Sequence, residues 1–279
     1  MPTNVNDLGR FFNSSMKCLV PENMQIITLT TDFGTQDFYA GALKGALLRR
    51  QPHLQLIDIS HDIKPFDLVQ AAFVVQNCWS EFPEGTIHLV GVHCVYAPEA
   101  HFILAKHAGH FFMAPNNGIL SLLFGGETDL VLRNLGPGAA EHFAVKNVFA
   151  ETVAQLLSGI DFEEIGQPAT ELLQRISIQP VITRTRIRGT IMHLDNFDNA
   201  IVNVPRAVFE KARNGRSFSL FFKRNDPISH LSNNYSDVPI GEPLCLFNAA
   251  GYLEIAINMG RAASLLGLKV EDIVEVVFE

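Results

Sequence analysis

The chain has 279 residues, a length typical of one large domain or two smaller ones. Apolar residues make up 47% and charged residues only 18%, so the chain can bury a sizeable core and is not of the disordered class. Its 21 Lys and Arg against 29 Asp and Glu give a net charge of −8, which argues against nucleic acid as a partner, because phosphate binding needs a basic face.

The cysteine and terminal patterns predict a cytoplasmic protein. The cysteines at positions 18, 78, 94 and 245 stand alone with no C-x-x-C pair, which is typical of reduced thiols. No apolar run reaches the ~18–20 residues that a membrane-spanning helix needs, and the N-terminal segment lacks the apolar centre of a signal peptide. We therefore expect no membrane partner.

Apolar periodicity predicts an α/β region in the first part of the chain. Residues 1–23 are polar and rich in turn formers, so we treat them as an N-terminal extension. Strands and helices then alternate, which is the pattern of a mainly parallel sheet covered by helices on both faces. The predicted elements are strand 25–31, helix 37–48, strand 54–59, helix 67–75, strand 86–92, a hairpin of 101–105 and 110–114 around Gly109, and helix 147–157.

The character of the sequence changes near residue 172. Alternating runs at 183–187, 190–194, 200–204 and 217–222 are separated by turn residues at spacings of about 8–12 positions. This pattern is typical of a β-rich, barrel-like domain. The sequence thus predicts an extension (1–23), an α/β domain (24–172) and a smaller all-β domain (173–279).

Common catalytic and metal motifs are missing from the sequence. There is no GxxxxGK[ST] loop, no GxGxxG after a strand and no GxSxG turn, which disfavours the classical NTPase, kinase and α/β-hydrolase classes. Histidines 93, 101, 107 and 110 are close in sequence, but no cysteine or carboxylate completes a known ligand spacing. We therefore predict no metal site.

Two acidic positions are better candidates for a site. Asp32 follows the first strand, and ligands of open α/β sheets bind at the carboxyl edge, where a carboxylate can accept both hydroxyls of a ribose. A turn or helix cap is the alternative for Asp32. The run Asp195-Asn196-Phe197-Asp198-Asn199 combines carboxylates, amides and an aromatic ring between two strands, and a turn and a binding site both remain open for it.

Several ordered blocks carry a resemblance over about residues 25–279. They are Thr31-Asp32-Phe33-Gly34 with Asp37 and Gly41-x-x-Lys44-Gly45, His61-Asp62-Ile63-x-Pro65-Phe66-Asp67, the segments 82–89 and 115–120, Asp195-x-Phe197-x-Asn199, and Gly251-Tyr252-Leu253-Glu254-Ile255-Ala256. In this order they resemble the S-adenosylmethionine hydroxide adenosyltransferases, relatives of the fluorinase and chlorinase enzymes.

The resemblance implies a fold, an assembly and a reaction. It implies an α/β domain followed by a barrel-like domain, in a homotrimer whose adenosyl ligand lies between one subunit's N-terminal domain and its neighbour's C-terminal domain. The implied reaction is attack of water or hydroxide on C5′ of S-adenosylmethionine, giving adenosine and methionine without a cofactor. Because a neutral thioether leaves, the site must supply in-line positioning and a desolvated nucleophile rather than a general acid.

The resemblance also implies which residues bind the substrate. Carboxylates suit the ribose diol and the ammonium, an amide suits the adenine edge, and aromatic rings suit stacking. The implied residues are Asp32 for the ribose with Asp37 near it, Phe66 and Phe197 as aromatic walls, Asp195 for the methionine ammonium, Asn199 for adenine, and Tyr252.

The water-activating triad of the family is not retained. Its Asp and Arg become His93 and Ala100, its His becomes Ala144, and the Ser that contacts the methionine carboxylate becomes Ala249. The candidate catalytic residues are therefore His93 and His101, as imidazoles that orient or activate water. Three functions stay open: hydrolysis with a rewired centre, binding of an adenosyl ligand without turnover, and adenosyl transfer to another nucleophile.

Overall fold

The computed structural model describes most of the chain after the N-terminal extension. Position 100, where the resemblance places a catalytic Arg, and the extension itself lie outside the described residues. The described ranges are 25–95, 101–125, 130–138, 142–223 and 226–279.

The first part of the chain forms a seven-stranded sheet in the order β2-β1-β3-β5-β4-β6-β7. Its first four strands in that order are parallel, and the remaining three pair antiparallel. The strands are β1 (Ile26–Thr31), β2 (Gln55–Ser60), β3 (Ile87–Gly91), β4 (Phe102–His107), β5 (His110–Pro115), β6 (Val131–Gly136) and β7 (Gln167–Pro168).

Helices cover both faces of this sheet. They are α1 (Tyr39–Arg50), α2 (Leu68–Gln76), α3 (Ile119–Phe124) and α4 (Ala144–Leu157). One core contains Leu43 of α1 and Phe149 of α4, and the opposite core contains Ala71 of α2 and Leu120 of α3. The strand β3 is buried at every residue because apolar material lies on both of its sides.

The second part forms an antiparallel, curled sheet in the order β11-β14-β9-β10-β13-β12, with β8 beside β9. Inward-facing residues such as Ile191, Val202 and Ile255 share one core with Phe209 of a short helix. The elements are β8 (Val181–Ile182), β9 (Arg186–Leu194), β10 (Ala200–Pro205), α5 (Arg206–Arg213), β11 (Phe218–Phe222), β12 (Pro243–Phe247), β13 (Tyr252–Ile257), α6 (Ala262–Leu266) and β14 (Ile273–Phe278).

The predicted fold class is confirmed, with differences in detail. The end of the predicted strand 183–187 and the whole of the predicted strand 190–194 belong to one strand, β9, which continues through Gly189. A side chain at Gly189 would collide with Val202 and Val204 of β10, so this glycine permits close strand approach and does not mark a turn.

Over the described ranges, no helix has the length and hydropathy that crossing a membrane requires.

A buried histidine pair lies at the amino ends of β3 and β5. His88 Nδ1 is 2.8 Å from Thr28 Oγ1, and its Nε2 is 3.2 Å from Nδ1 of His110. Both imidazoles are almost fully buried. Burial, reinforced by the charge of His110, lowers the pKa of His88 to about 3.

This pair predicts a loss of stability in acid. A histidine in the unfolded chain titrates near pH 6.5, whereas His88 in the folded protein remains unprotonated down to about pH 3. Between these pH values the unfolded state therefore binds one more proton than the folded state. The free energy of unfolding should therefore fall, through this window, by about 1.4 kcal/mol per pH unit for this histidine alone. Urea unfolding of the wild type and of His88→Gln across this range measures the slope.

His88→Gln should flatten the pH dependence, whereas His53→Gln, at an exposed histidine, should leave it unchanged. Equal slopes in the wild type and His88→Gln would show that His88 is not the group responsible.

Candidate active site

Asp32 connects the carboxyl ends of three neighbouring strands. It follows β1, and its Oδ2 accepts hydrogen bonds from the backbone N–H of Phe66 and of His93, each at 3.0 Å. Phe66 lies after β2 and His93 after β3. Asp32 Oδ1 accepts no hydrogen bond from the described residues, and the side chain is partly exposed. One carboxylate oxygen is therefore structural and the other is available to a ligand.

Both residues that donate to Asp32 have left-handed backbone conformations. The φ angle is 70° at Phe66 and 53° at His93. Such conformations cost of order 1–3 kcal/mol at a bulky residue and often occur at functional sites. The two rings meet edge to face with centroids 5.2 Å apart, and Phe66 remains 65% exposed. These two backbone conformations therefore place the Phe66 ring and the His93 imidazole at the Asp32 carboxylate.

A chain of hydrogen bonds lies beneath this edge. Thr31 Oγ1 is 2.7 Å from His61 Nδ1, and His61 Nε2 is 3.1 Å from Asp58 Oδ1. Lys44 Nζ donates to the other oxygen of Asp58 at 2.5 Å. Although the order Asp-His-Thr resembles a nucleophilic triad, Thr31 is fully buried and cannot reach a substrate. The chain therefore positions the loops after β1 and β2, a role that spacing alone did not reveal.

His101 has a defined tautomer in this structure. Asn134 Oδ1 accepts the N–H of Gly136 at 2.8 Å, so its amide nitrogen faces His101 Nδ1, at 2.7 Å. His101 Nδ1 is thus an acceptor and its ring proton lies on Nε2. His101 can donate a hydrogen bond to water, but it is not arranged to accept a proton from it.

The position of the family His is apolar here. Ala144 is buried at the start of α4, and the preceding Phe143 contacts the rings of Phe33 (5.4 Å) and Tyr39 (5.2 Å).

Burial, with the charge of Asp32 added, raises the pKa of the Cys94 thiol, which is therefore protonated. Asp37 lies exposed before α1 and makes no hydrogen bond or ion pair with the described residues.

The loop between β9 and β10 is held by Asp195. Its Oδ1 accepts the N–H groups of Phe197 (2.9 Å) and Asn199 (2.8 Å), and its Oδ2 accepts from Asn199 Nδ2 at 3.1 Å. Asn199 is buried, while Phe197 is 74% exposed. The turn interpretation of this run is thus correct for its backbone, and the turn leaves an aromatic ring in solvent.

A second carboxylate near Asp195 was missed from the sequence. Glu254 is buried in β13 and accepts a hydrogen bond from Tyr235 Oη at 2.8 Å. Burial raises the pKa of Glu254, the hydrogen bond from Tyr235 opposes this, and the charge of Asp195 adds to it. A glutamate within the otherwise apolar run of β13 was the available signal.

Tyr252 lies where α2 meets the second sheet. The ring of Phe73 in α2 is 6.0 Å from Tyr252 and 4.9 Å from His193. Burial lowers the pKa of His193, while the nearby carboxylates of Asp195 and Asp67 oppose this shift. Tyr252 also lines a cavity of about 580 Å³ between the two parts of the chain.

The predicted site residues therefore fall into separate groups. No hydrogen bond, ion pair or ring contact among the described residues joins the group of Asp32, Phe66 and His93 to the loop 195–199. Nor do three or more His, Cys, Asp or Glu side chains converge there as a metal site within the ranges given above.

Comparison with known families identifies the class of protein that this fold and edge define. The N-terminal domain profile of SAM hydroxide adenosyltransferase matches residues 27–166, and the C-terminal domain profile of the same family matches residues 189–275. The chain belongs to the SAM hydroxide adenosyltransferase family.

Similar proteins and structures agree with this assignment. An (R)-S-adenosyl-L-methionine hydrolase of Methanocaldococcus jannaschii is 27% identical over 91% of this chain and 97% of its own. A fluorinase of an Actinoplanes species is 23% identical, over 88% of this chain and 94% of its own. The crystal structure of an uncharacterized conserved protein from Thermotoga maritima superposes with a TM-score of 0.81 at 26% identity, covering 91% of this chain and all of that one.

The left-handed backbone at His93 predicts an unusual order of stabilities. Because glycine adopts positive φ without strain, His93→Gly should be more stable than His93→Val by on the order of 1–2 kcal/mol. Chemical denaturation measures this difference. At His53, which is exposed and has no positive φ, the Gly variant should be no more stable than the Val variant. The same order at both positions would contradict the assigned role of the backbone.

Proposed function

We propose that this protein hydrolyses S-adenosyl-L-methionine, as the (R)-epimer named for its relatives, to adenosine and L-methionine. The observation that carries this proposal is the arrangement of Asp32. Its Oδ2 is fixed by two backbone N–H groups, so its unengaged Oδ1 is held ready to accept the two hydroxyls of a ribose. The exposed ring of Phe66 supplies a face on which the nucleoside packs.

The proposed step needs little chemistry from the protein. A water oxygen forms a bond to C5′ while the C5′–sulfur bond breaks, and the bonding pair stays on sulfur as methionine leaves. The imidazole of His93 has no hydrogen-bond partner among the described residues, so a ring nitrogen is available to take the proton of the water. His101 contributes its Nε2 proton as a donor that orients the same water.

We propose that a second copy of the chain completes each site, in a homotrimer. The exposed rings of Phe66 and Phe197 belong to separate groups in one chain, which supports a site shared between subunits. Across the interface, Asp195 would take the ammonium, Asn199 would read adenine, and Phe197 and Tyr252 would pack on the ligand. Asp37 would border the ribose.

We also propose that no cofactor takes part, since the neutral thioether leaves without acid or redox assistance. Free thiols at Cys78, Cys94 and Cys245 support a cytoplasmic location.

A second candidate function is binding of an adenosyl ligand without turnover. The packing of Phe33, Tyr39 and Phe143 beside Ala144 favours it, because no group at that position can activate water. The carboxylate that would bind the ribose is the same in both cases, so binding alone does not separate the two functions.

The shared site predicts complementation between inactive variants. Asp32→Asn keeps an oxygen for the two backbone N–H groups but replaces the free oxygen with a donor, so adenosine formation should be lost. Asp195→Asn should lose it through the ammonium. If the two variants are co-expressed and assemble at random, about one quarter of the interface sites contain both intact halves.

Adenosine formation by the mixed trimers should therefore recover to about one quarter of the wild-type rate. Asp161→Asn, at an exposed carboxylate away from both groups, should be fully active alone. Mixed assemblies that remain inactive would place each site within one chain.

A further inference from the structure

We propose that Arg175 forms an anion-binding subsite that takes the carboxylate of the amino-acid part of the ligand, in a groove beside Phe66. This inference rests on the proposed function and adds to it a residue from the segment that connects the two sheets. The subsite is built by Arg175, Gly118, Asn117 and Ser121.

The backbone of Arg175 is fixed to the first part of the chain. Its N–H donates to Ser121 Oγ at 2.8 Å, and the N–H of Leu173, two residues earlier, donates to Asn116 Oδ1 at 2.9 Å. These contacts hold an otherwise irregular, exposed segment against the loop after β5 and the start of α3. The position of Arg175 is therefore set by tertiary contacts.

The stem of Arg175 is fixed as well. It lies directly over Gly118, whose φ is +99°, and any side chain at Gly118 would occupy the space of Arg175 Cγ and Cδ. Gly118 therefore serves as a notch that receives this stem. Only a glycine satisfies both the backbone angle and the close approach.

The guanidinium of Arg175 is oriented by one hydrogen bond, and its other donors remain available. Arg175 Nε donates to the carbonyl oxygen of Asn117 at 2.9 Å, and neither of its Nη atoms has a hydrogen bond or ion pair with the described residues. A guanidinium held at Nε presents its two Nη groups side by side, a geometry that matches a carboxylate. Since the arginine is already ordered, little side-chain entropy is lost when an anion binds.

The same contacts connect Arg175 to the catalytic edge. The side chain of Asn117 donates to the carbonyls of Val92 (3.0 Å) and His93 (3.3 Å). One asparagine thus holds both the loop that carries His93 and the guanidinium of Arg175. The subsite is consequently attached to the carboxyl ends of the parallel strands.

The groove itself suits the amino-acid end of such a ligand. It has a volume of about 330 Å³ and is lined by Phe66, Leu68, Val69, Leu122 and Ile176, with Asp67 and Arg175 as its charged members. Asp67 is engaged as the cap of α2, where its Oδ1 accepts the N–H of Gln70 at 2.9 Å. Arg175 is the cation of this groove, and its Nη groups can form charge-assisted hydrogen bonds with an anion.

Binding calorimetry with three ligands tests the subsite. S-adenosylhomocysteine has the carboxylate, its decarboxylated analogue 5′-(3-aminopropylthio)adenosine lacks only that group, and adenosine lacks the whole chain. Arg175→Met retains the stem over Gly118 and should weaken S-adenosylhomocysteine by about 10- to 100-fold, without changing the other two Kd values. Arg175→Lys should restore part of the loss, since it keeps the charge but not the planar fork.

Arg184→Met serves as the control for net charge, because Arg184 is exposed and its side chain is unpaired among the described residues. It should change none of the three affinities. An unchanged Kd for S-adenosylhomocysteine in Arg175→Met, or an equal loss of affinity for all three ligands, would overturn the subsite. In either case, adenosine binding by the wild type would still support the proposed function. Failure of the wild type to bind adenosine would overturn both.

Discussion

The arrangement of this edge depends on one carboxylate oxygen. Neighbouring parallel strands have no tight turn between their carboxyl ends, so the loops after β1, β2 and β3 need another link. Oδ2 of Asp32 supplies that link by accepting two backbone N–H groups. The left-handed conformations of Phe66 and His93 aim both groups at this oxygen, and their strain is offset by the two charge-assisted hydrogen bonds. The ring of Phe66, the imidazole of His93 and the free oxygen of Asp32 are consequently fixed relative to one another.

The loss of the family triad is compatible with catalysis for a chemical reason. A sulfonium substrate carries its own leaving group, and positioning a water in line with the breaking bond supplies much of the acceleration. In the proposed complex, Asp32 and the groove lined by Arg175 would hold two ends of such a ligand, with C5′ between them. Against turnover stand the aromatic packing at Ala144 and the tautomer of His101, which leave His93 as the available base at this edge. The balance between hydrolase and binding protein therefore rests on His93.

The sequence predicted the elements whose signals are local. β1 was predicted from its run of β-branched residues and β3 from its apolar run, both typical of buried parallel strands, and Asp32 was predicted because it follows such a strand. The conformations of Phe66 and His93 were not predictable, since bulky residues avoid positive φ and the acceptor lies 34 and 61 residues away in sequence. The role of Arg175 was hidden for the same reason, because it depends on Gly118 and on the carbonyl of Asn117, 58 residues earlier. The sequence pattern divided β9 into two predicted strands at Gly189, because a glycine often marks a turn. Here the glycine is needed for the close approach of β10, which the local sequence does not show.

We propose that the edge around Asp32 holds an adenosyl ligand in position for attack by water. The most direct test is to incubate the purified protein with each sulfonium epimer of S-adenosylmethionine and to quantify adenosine and methionine by chromatography, with binding calorimetry on the same batch. We expect equal amounts of both products, in stoichiometric excess over the protein and above a control without protein. Heat of binding without adenosine formation would contradict hydrolysis and favour a binding protein. The absence of both binding heat and product would contradict the site itself.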